Sequence, residues 1–167
     1  VSSANFTLRD GNKIITSSKD STARVWDSNS GAIIHKLEGH RNIVNWANFD
    51  STESYAVTAS DDSTAIIWDL SNGSIKYVLR GHRDKVTSAN FSLDSKLCVT
   101  SSIDGTIKIW DVSTGQEIRT INCGQGKVWH ANFDVFGYYV LSTGNNDVKM
   151  WNTKFGYLVK TFELPNQ

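Results

Sequence analysis

A tryptophan recurs at an almost constant interval along this chain. Trp26, Trp68 and Trp110 lie 42 residues apart and each precedes an aspartate, and a fourth copy, Trp151-Asn152, follows 41 residues later. A period of this size is typical of a chain that repeats one structural unit. We therefore expect function on the faces of a four-unit array rather than in a single pocket.

Other positions repeat with the same period. Each unit opens with a phrase that ends in Ala-Asn-Phe, and a glycine stands five residues after each tryptophan. The opening phrases are Val1–Phe6, Val44–Phe49, Val86–Phe91 and Val128–Phe133, and the glycines are Gly31, Gly73, Gly115 and Gly156. Glycine adopts positive φ without steric cost, so a tight turn is predicted at each of these glycines.

Each unit contains four short runs rich in β-branched and aromatic residues, separated by polar turn residues. In the second unit these runs are Val44–Phe49, Tyr55–Ala59, Thr64–Asp69 and Ser74–Leu79. The sequence shows no helical periodicity, and its single proline, Pro165, lies beyond the last run. Each unit is therefore predicted to be a four-stranded antiparallel meander. A lone meander cannot bury both faces, so it must stack on its neighbours.

Together with these features, Gly39-His40, Gly81-His82 and the Trp-Asp pairs resemble the WD-repeat β-propeller family over essentially the whole chain. The resemblance implies an all-β propeller of four-stranded antiparallel blades, forming one domain over residues 1–167. The blades would span about 1–38, 39–80, 81–122 and 123–164. We expect them to be part of a larger ring of seven or eight blades. Closure of four blades alone, and pairing of two copies across a two-fold axis, remain open.

Ser60, His40 and Asp62 have the composition of a hydrolase triad, but Ser102, His82 and Asp104 repeat that set 42 residues later. An enzyme does not build one active site per repeat. The family resemblance instead implies structural hydrogen-bonded tetrads, and buried donors of these types need partners. The implied tetrads are His40, Ser60, Asp62, Trp68 and His82, Ser102, Asp104, Trp110.

The outer units depart from this pattern. The first has Ser18, Asp20 and Trp26, and its histidine would precede Val1. The fourth reads Cys123-Gly124 where Gly-His is expected and Asn146 where aspartate is expected, so no tetrad is predicted there. We expect its outer part to be the least rigid, and we expect the chain to be a piece of a longer protein.

Two surfaces are candidates for binding. The resemblance places partners on the face that carries the loops before the first strand and between the second and third strands. The matching residues, here called the candidate partner-binding face, are Arg41, Asn42, Arg83, Asp84, Lys85, Lys127, Asn45, Thr87, Trp129, Lys19, Asp61, Ile103 and Asn145. On the opposite side, turns of the fourth unit hold Val135, Phe136 and Phe155 where the other units are polar. These three form either an exposed apolar patch, a mark of partner contact, or an inward-folded cover.

Composition narrows the function classes. Lys+Arg and Asp+Glu number 17 each, so no basic field favours nucleic acid or anionic lipid. The sequence lacks an apolar run of membrane-spanning length and any pattern for a cofactor or metal. Cys98 and Cys123 occupy different repeat positions, which favours reduced thiols in an intracellular protein, expected in the cytoplasm with the nucleus left open.

These observations predict a non-catalytic scaffold that docks other proteins on its propeller faces. Two alternatives remain. The chain is a substrate-recognition or regulatory segment of a larger multidomain protein, or it is a small-ligand or enzymatic propeller that uses the central channel. The last needs convergent titratable groups on the innermost strands, which offer only His130 among polar and aromatic residues. A homodimer or further blades would complete the ring.

Overall fold

The structure, a computed structural model, describes residues 1–9, 11–124, 126–145 and 147–163. In these residues there are sixteen β-strands and no helix. The strands are β1 (Ser3–Phe6), β2 (Lys13–Ser17), β3 (Thr22–Asp27), β4 (Ile33–Glu38), β5 (Val44–Phe49), β6 (Tyr55–Ser60), β7 (Thr64–Asp69), β8 (Ser74–Arg80), β9 (Val86–Phe91), β10 (Leu97–Ser102), β11 (Thr106–Asp111), β12 (Glu117–Asn122), β13 (His130–Phe133), β14 (Tyr139–Thr143), β15 (Asp147–Asn152) and β16 (Leu158–Glu163).

The strands form four antiparallel sheets of four consecutive strands each. Blade 1 is β1–β4, blade 2 is β5–β8, blade 3 is β9–β12 and blade 4 is β13–β16. The predicted all-β class and the four-stranded meander are therefore confirmed. In blade 2 the predicted runs match the observed strands, except that β6 and β8 each extend one residue further, to Ser60 and Arg80.

The glycine after each tryptophan has the conformation that the turn prediction requires. Gly31, Gly73, Gly115 and Gly156 have φ values of 70, 72, 70 and 76°. Their amides donate to the carbonyl of the residue that follows the tryptophan, over 2.7 to 2.9 Å. A side chain at this φ is strained, so glycine is favoured at each turn.

The hydrophobic core lies between the blades. One cluster joins blades 1 and 2 through residues such as Ile15 and Trp68, a second joins blades 2 and 3, and a third joins blades 3 and 4 through residues such as Val99 and Trp151. Each fully buried side chain of this size contributes about 1.5–3 kcal/mol relative to an exposed one. Stability thus comes mainly from contacts between consecutive blades, as expected for a repeat array.

The two ends of the array are uncovered. Val99 in blade 3 is 0 % exposed beneath blade 4, whereas Leu141, at the same repeat position in blade 4, is 43 % exposed. At the other end Phe6 of blade 1 is 61 % exposed, against 2 % for the matching Phe49 of blade 2. Within the described ranges, inner strands pack from β1 to β5, to β9 and to β13, without comparable packing between β1 and β13. The four blades therefore form an open array.

Candidate functional site

A buried hydrogen-bonded chain runs through blade 2. The indole N–H of Trp68 donates to Thr58 Oγ1 over 2.9 Å, and Thr58 Oγ1 lies 2.7 Å from His40 Nε2. His40 Nδ1 in turn lies 2.9 Å from Asp62 Oδ2. The geometry fits a neutral imidazole whose Nδ1–H donates to the carboxylate and whose Nε2 accepts from the threonine hydroxyl. The chain therefore satisfies every polar group on its path.

Blade 3 repeats the same chain almost atom for atom. The bonds from Trp110 to Thr100, from Thr100 to His82 and from His82 to Asp104 measure 2.9, 2.8 and 3.0 Å. Such repetition in two consecutive blades indicates a structural role, because a catalytic centre has no reason to recur from one unit to the next.

The structure corrects the hydroxyl of the tetrads. Thr58 and Thr100 occupy the place that the sequence analysis assigned to Ser60 and Ser102. Ser60 Oγ instead donates to the Asn42 carbonyl over 3.2 Å and accepts from the Asp62 amide over 3.1 Å. Two residues span about 7 Å along a strand, which places Ser60 beyond the imidazole, at the end of β6 and beside the loop that contains Asn42.

A signal for the threonine was present in the sequence. Thr16, Thr58 and Thr100 each precede a tryptophan by ten residues, a recurrence as regular as that of the serines. Spacing alone did not distinguish the two hydroxyls, because both lie on the same face of one strand. Among the described residues, Ser60 makes no hydrogen bond to His40, so the set does not have the geometry of a hydrolase triad.

Opposing effects set the protonation of the tetrad. Burial lowers the pKa of His40, against the hydrogen bond and charge of Asp62, which raise it. Burial alone would raise the pKa of Asp62, but hydrogen bonds from the Thr64 hydroxyl, the Arg41 amide and His40 lower it overall. The same balance lowers the pKa of Asp104 to about 2. The pair is therefore a neutral histidine beside an ionised aspartate.

The outer blades keep only part of this chain. In blade 1 the indole of Trp26 donates to Thr16 Oγ1 over 2.9 Å. In blade 4 the indole of Trp151 donates to Ser142 Oγ over 2.8 Å, and Gly124 stands where the histidine would be. Asn146, the residue in place of the tetrad aspartate, lies outside the described residues. Ser142 also lines a cavity of about 200 Å³ in blade 4, together with Lys127 and Asn145.

The candidate partner-binding face contains a cavity of about 520 Å³ that extends over blades 2, 3 and 4. All of its lining residues belong to the set named from the sequence. They are Asn45, Asp61, Asp84, Lys85, Thr87, Ile103, Lys127 and Trp129. Arg41, Asn42, Arg83, Lys19 and Asn145 lie outside this lining.

Charge is distributed unevenly around this cavity. Asp61 is neutralised by Lys85 Nζ at 2.6 Å and accepts from the Asn45 amide at 2.8 Å. Trp129 is half exposed, its indole donates to Asn145 Oδ1 over 3.3 Å, and Lys127 Nζ lies 5.7 Å from its ring. Among the described residues, the exposed cations without an ion pair at this face are Lys19, Arg41, Arg83 and Lys127.

Val135, Phe136 and Phe155 are exposed at the opposite edge of blade 4. Phe136 is 77 % exposed and Phe155 is 62 % exposed, so neither folds inward over the blade. Phe136 stacks on Tyr138, with ring centroids 6.0 Å apart, and Phe155 stacks on Tyr157 at 6.3 Å. A cavity of about 470 Å³ between blades 3 and 4 adjoins this edge and includes Tyr138 and Phe155 in its lining. Tyr138 was not predicted from the sequence to belong to this patch.

This fold and its buried tetrads define a propeller-type repeat protein. Comparison with known families agrees: the WD40 family (WD domain, G-beta repeat) matches residues 2–27, 31–69, 73–111 and 115–152. The chain belongs to the WD40 repeat family, whose domains generally mediate protein–protein interaction and are generally non-catalytic. Within the described ranges, no helix has the length and apolar character that are needed to span a membrane.

Several curated relatives match over about one repeat. "Dynein assembly factor with WD repeat domains 1" of Xenopus laevis is 46 % identical over 43 residues, which is 26 % of this chain and 10 % of the relative. The proteins of the same name from Danio rerio and Rattus norvegicus are 50 % identical over 36 residues and 56 % over 34, or 22 and 20 % of this chain. The matches cover 9 and 8 % of those relatives. In each case the aligned segment spans about a tenth of the relative or less.

Proposed function

We propose that this chain is a non-catalytic docking module that binds a segment of another protein in the cavity lined by Lys127 and Trp129. The observation that carries the proposal is the cavity itself, which combines a half-exposed indole with polar groups from three blades. Pockets with an aromatic anchor and a few convergent polar groups are typical of binding sites.

The charges around the cavity favour an acidic partner. Arg41, Arg83 and Lys127 are exposed and carry no ion pair among the described residues. Against these three cations stands one unpaired carboxylate in the described lining, Asp84, because the charge of Asp61 is already balanced by Lys85. The positive charge of this rim would attract an acidic segment and repel a basic one. Its affinity would depend on one apolar side chain resting against Trp129.

The test is selection of peptides against the purified chain from a displayed random library, followed by fluorescence-anisotropy titration. We expect acidic peptides with one apolar residue. Trp129→Ala is expected to weaken their binding at least about thirtyfold, since loss of an aromatic anchor costs about 2 kcal/mol or more. Ile75→Ala, at an exposed apolar residue on β8 of blade 2 away from both proposed surfaces, is the control and is expected to leave the affinity unchanged. Selection of basic peptides, or an affinity that does not depend on Trp129, contradicts the proposal.

The exposed patch of Val135, Phe136 and Phe155 is proposed as a second contact for a partner. Its support is the exposure of both phenylalanines, each stacked on a tyrosine rather than buried. The double substitution Phe136→Asp with Phe155→Ser is expected to keep the urea midpoint and to reduce the binding of the apolar dye bis-ANS. A clear fall in the midpoint would show that these rings stabilise the blade instead.

The relatives add little about the partner's identity. Their name describes dynein assembly, but each match is about one repeat long. We therefore propose for this chain only the class of function that such repeats share, the binding of other proteins. Both cysteines are free and buried, which supports the proposal that the protein works in the reducing cytoplasm.

A further inference from the structure

In blades 1, 2 and 3, one side chain of the fourth strand forms a hydrogen bond to the next blade. His35 Nε2 lies 2.9 Å from the Leu70 carbonyl, and the Tyr77 hydroxyl donates to the Ser113 carbonyl over 2.7 Å. Arg119 makes the same kind of bond to the Phe155 carbonyl over 3.3 Å. Each of the three contacts between consecutive blades therefore includes a hydrogen bond from a side chain of the fourth strand to a carbonyl in the turn after the next blade's third strand. We call this hydrogen bond the latch.

The latch rests on the glycine of that turn. A Cβ added to Gly73 would lie 2.8 Å from His35, one added to Gly115 would lie 2.5 Å from Tyr77, and one added to Gly156 would lie 2.9 Å from Arg119. Those distances are too short for real carbon atoms, so the absent side chain makes room for the latch. The recurring glycine thus serves the contact between blades as well as the turn.

Both halves of this latch are unused at the ends of the array. Lys160 pairs opposite Met150 as Arg119 pairs opposite Ile109, so it holds the latch position of blade 4. It is exposed, and its ammonium lies 5.1 Å from the ring of Phe162 on its own strand. Gly31 holds the receiving position of blade 1, and none of the described atoms comes within 4 Å of its added Cβ.

The inner strands show the same complementarity. Asn5 donates to the Ala47 carbonyl and Asn90 to the Ala131 carbonyl, both over 2.8 Å. Asn132 holds this donor position in blade 4 and is exposed. Its counterpart is Ala4 in blade 1, which matches Ala47 and Ala131 and is also exposed. This bond occurs at two of the three described blade contacts, since Asn48 donates instead to Asn90 Oδ1 over 2.9 Å. A donor and an acceptor of the same kind of hydrogen bond are therefore left at opposite ends of one chain.

The apolar surfaces match as well. In blade 4, Ala131, Val140 and Trp151 cover the face that contains Val99. Blade 1 presents Ala4, Ile14 and Trp26 at the same repeat positions, and blade 4 presents Leu141 where blade 3 has Val99. The uncovered end of blade 1 thus has the side chains that a blade uses to cover its predecessor.

We propose that two copies of this chain associate end to end, with blade 4 of each copy against blade 1 of the other, to form a closed ring of eight blades. The occupant of each free face is a second copy, because one chain carries both halves of the latch, of the asparagine bond and of the apolar contact. A two-fold axis then satisfies both ends at once and leaves no free face to extend the assembly.

Light scattering after size-exclusion chromatography tests the proposal on the 167-residue chain. We expect a single species of about 37 kDa, twice the 18.6 kDa of one chain. Leu141→Asp is expected to reduce the mass to that of one chain. Ile75→Asp is the matched control, since Ile75 is also 43 % exposed but lies on an outer strand of blade 2, and it is expected to remain dimeric.

A second variant tests the other end and guards against misfolding of the first. Gly31→Asn keeps a residue that tolerates positive φ but fills the site for the latch, so we expect it to lose the dimer as well. Gly137→Asn is its control, because Gly137 has φ of 71° against 70° and no atom of the described residues lies within 4 Å of the added Cβ. Far-UV circular dichroism checks that each variant is folded.

A dimer that both Leu141→Asp and Gly31→Asn abolish supports the ring. A monomer, or larger assemblies of undefined size, overturns it. A dimer that only Leu141→Asp abolishes also overturns it, because that result means that two copies of blade 4 meet face to face.

Discussion

Removal of the Thr58 hydroxyl tests the structural role of the buried chain in blade 2. Thr58→Val keeps the shape of the side chain but leaves the Trp68 indole and His40 Nε2 without their shared partner. Each buried group left unsatisfied costs about 1–3 kcal/mol, so we expect a loss of about 3 kcal/mol in the free energy of unfolding. With an m-value of about 2 kcal/mol per molar, the urea midpoint falls by about 1.5 M.

Thr16→Val in blade 1 is the matched control for this experiment. Within the part of the chain that the structure describes, Thr16 Oγ1 accepts one bond, from Trp26 over 2.9 Å, and both side chains are partly exposed. Water can replace the lost partner, so we expect a loss below about 1 kcal/mol. Tryptophan fluorescence follows the unfolding of both variants. If Thr58→Val loses no more stability than Thr16→Val, the argument that the tetrad stabilises the blade is wrong.

Three further predictions concern the turns, the thiols and the histidines. Gly115→Ala is expected to lose about 2 kcal/mol more than Gly137→Ala in urea unfolding, because an alanine Cβ at 115 would lie 2.5 Å from the ring of Tyr77. At 137 the added Cβ meets no atom of the described residues within 4 Å, so equal losses would mean that only φ matters. Burial raises the pKa of Cys123 to about 11 and raises that of Cys98 further. At pH 8 both thiols should therefore react with Ellman's reagent only after unfolding, and a fast reaction of the folded chain would refute their burial. Burial lowers the pKa of His82 despite the opposing charge of its aspartate partner, so the unfolded chain binds a proton at a higher pH than the folded chain. The free energy of unfolding should therefore fall as the pH drops below about 6.5, and His82→Gln should show a smaller fall between pH 7.5 and 5.5. An unchanged pH dependence in this variant would contradict the assignment.

The strand arrangement was predictable from local repetition. Alternating β-branched and aromatic runs with turn residues between them located the strands of blade 2 to within one residue, because the pattern depends on residues close together in the chain. The recurring glycine was likewise predictable, since the turn needs positive φ wherever it occurs. The residues that line the cavity around Trp129 were also named from their repeat positions.

Other features depend on contacts between distant parts of the chain. The choice of Thr58 over Ser60 as the tetrad hydroxyl follows from the position of His40, which enters from a loop 18 residues away from the threonine. The exposure of Phe136 depends on the direction of its turn and on the tyrosine beside it. The spacing of residues along the sequence does not report such contacts. Thr58 and Ser60 both recur with the 42-residue period, so the sequence could not show which hydroxyl contacts His40.

By itself, the sequence determined that this chain is an array of four WD-type units with a tight turn after each tryptophan, because period and turn chemistry are local properties. Only the tertiary structure decided which hydroxyl joins histidine to tryptophan, which aromatic residues remain exposed and which faces lack a neighbour. Burial depends on what packs against a residue, and in a repeat array that is the next blade. Val99 and Leu141 share one repeat position, yet one is buried and the other exposed because blade 4 covers only the first.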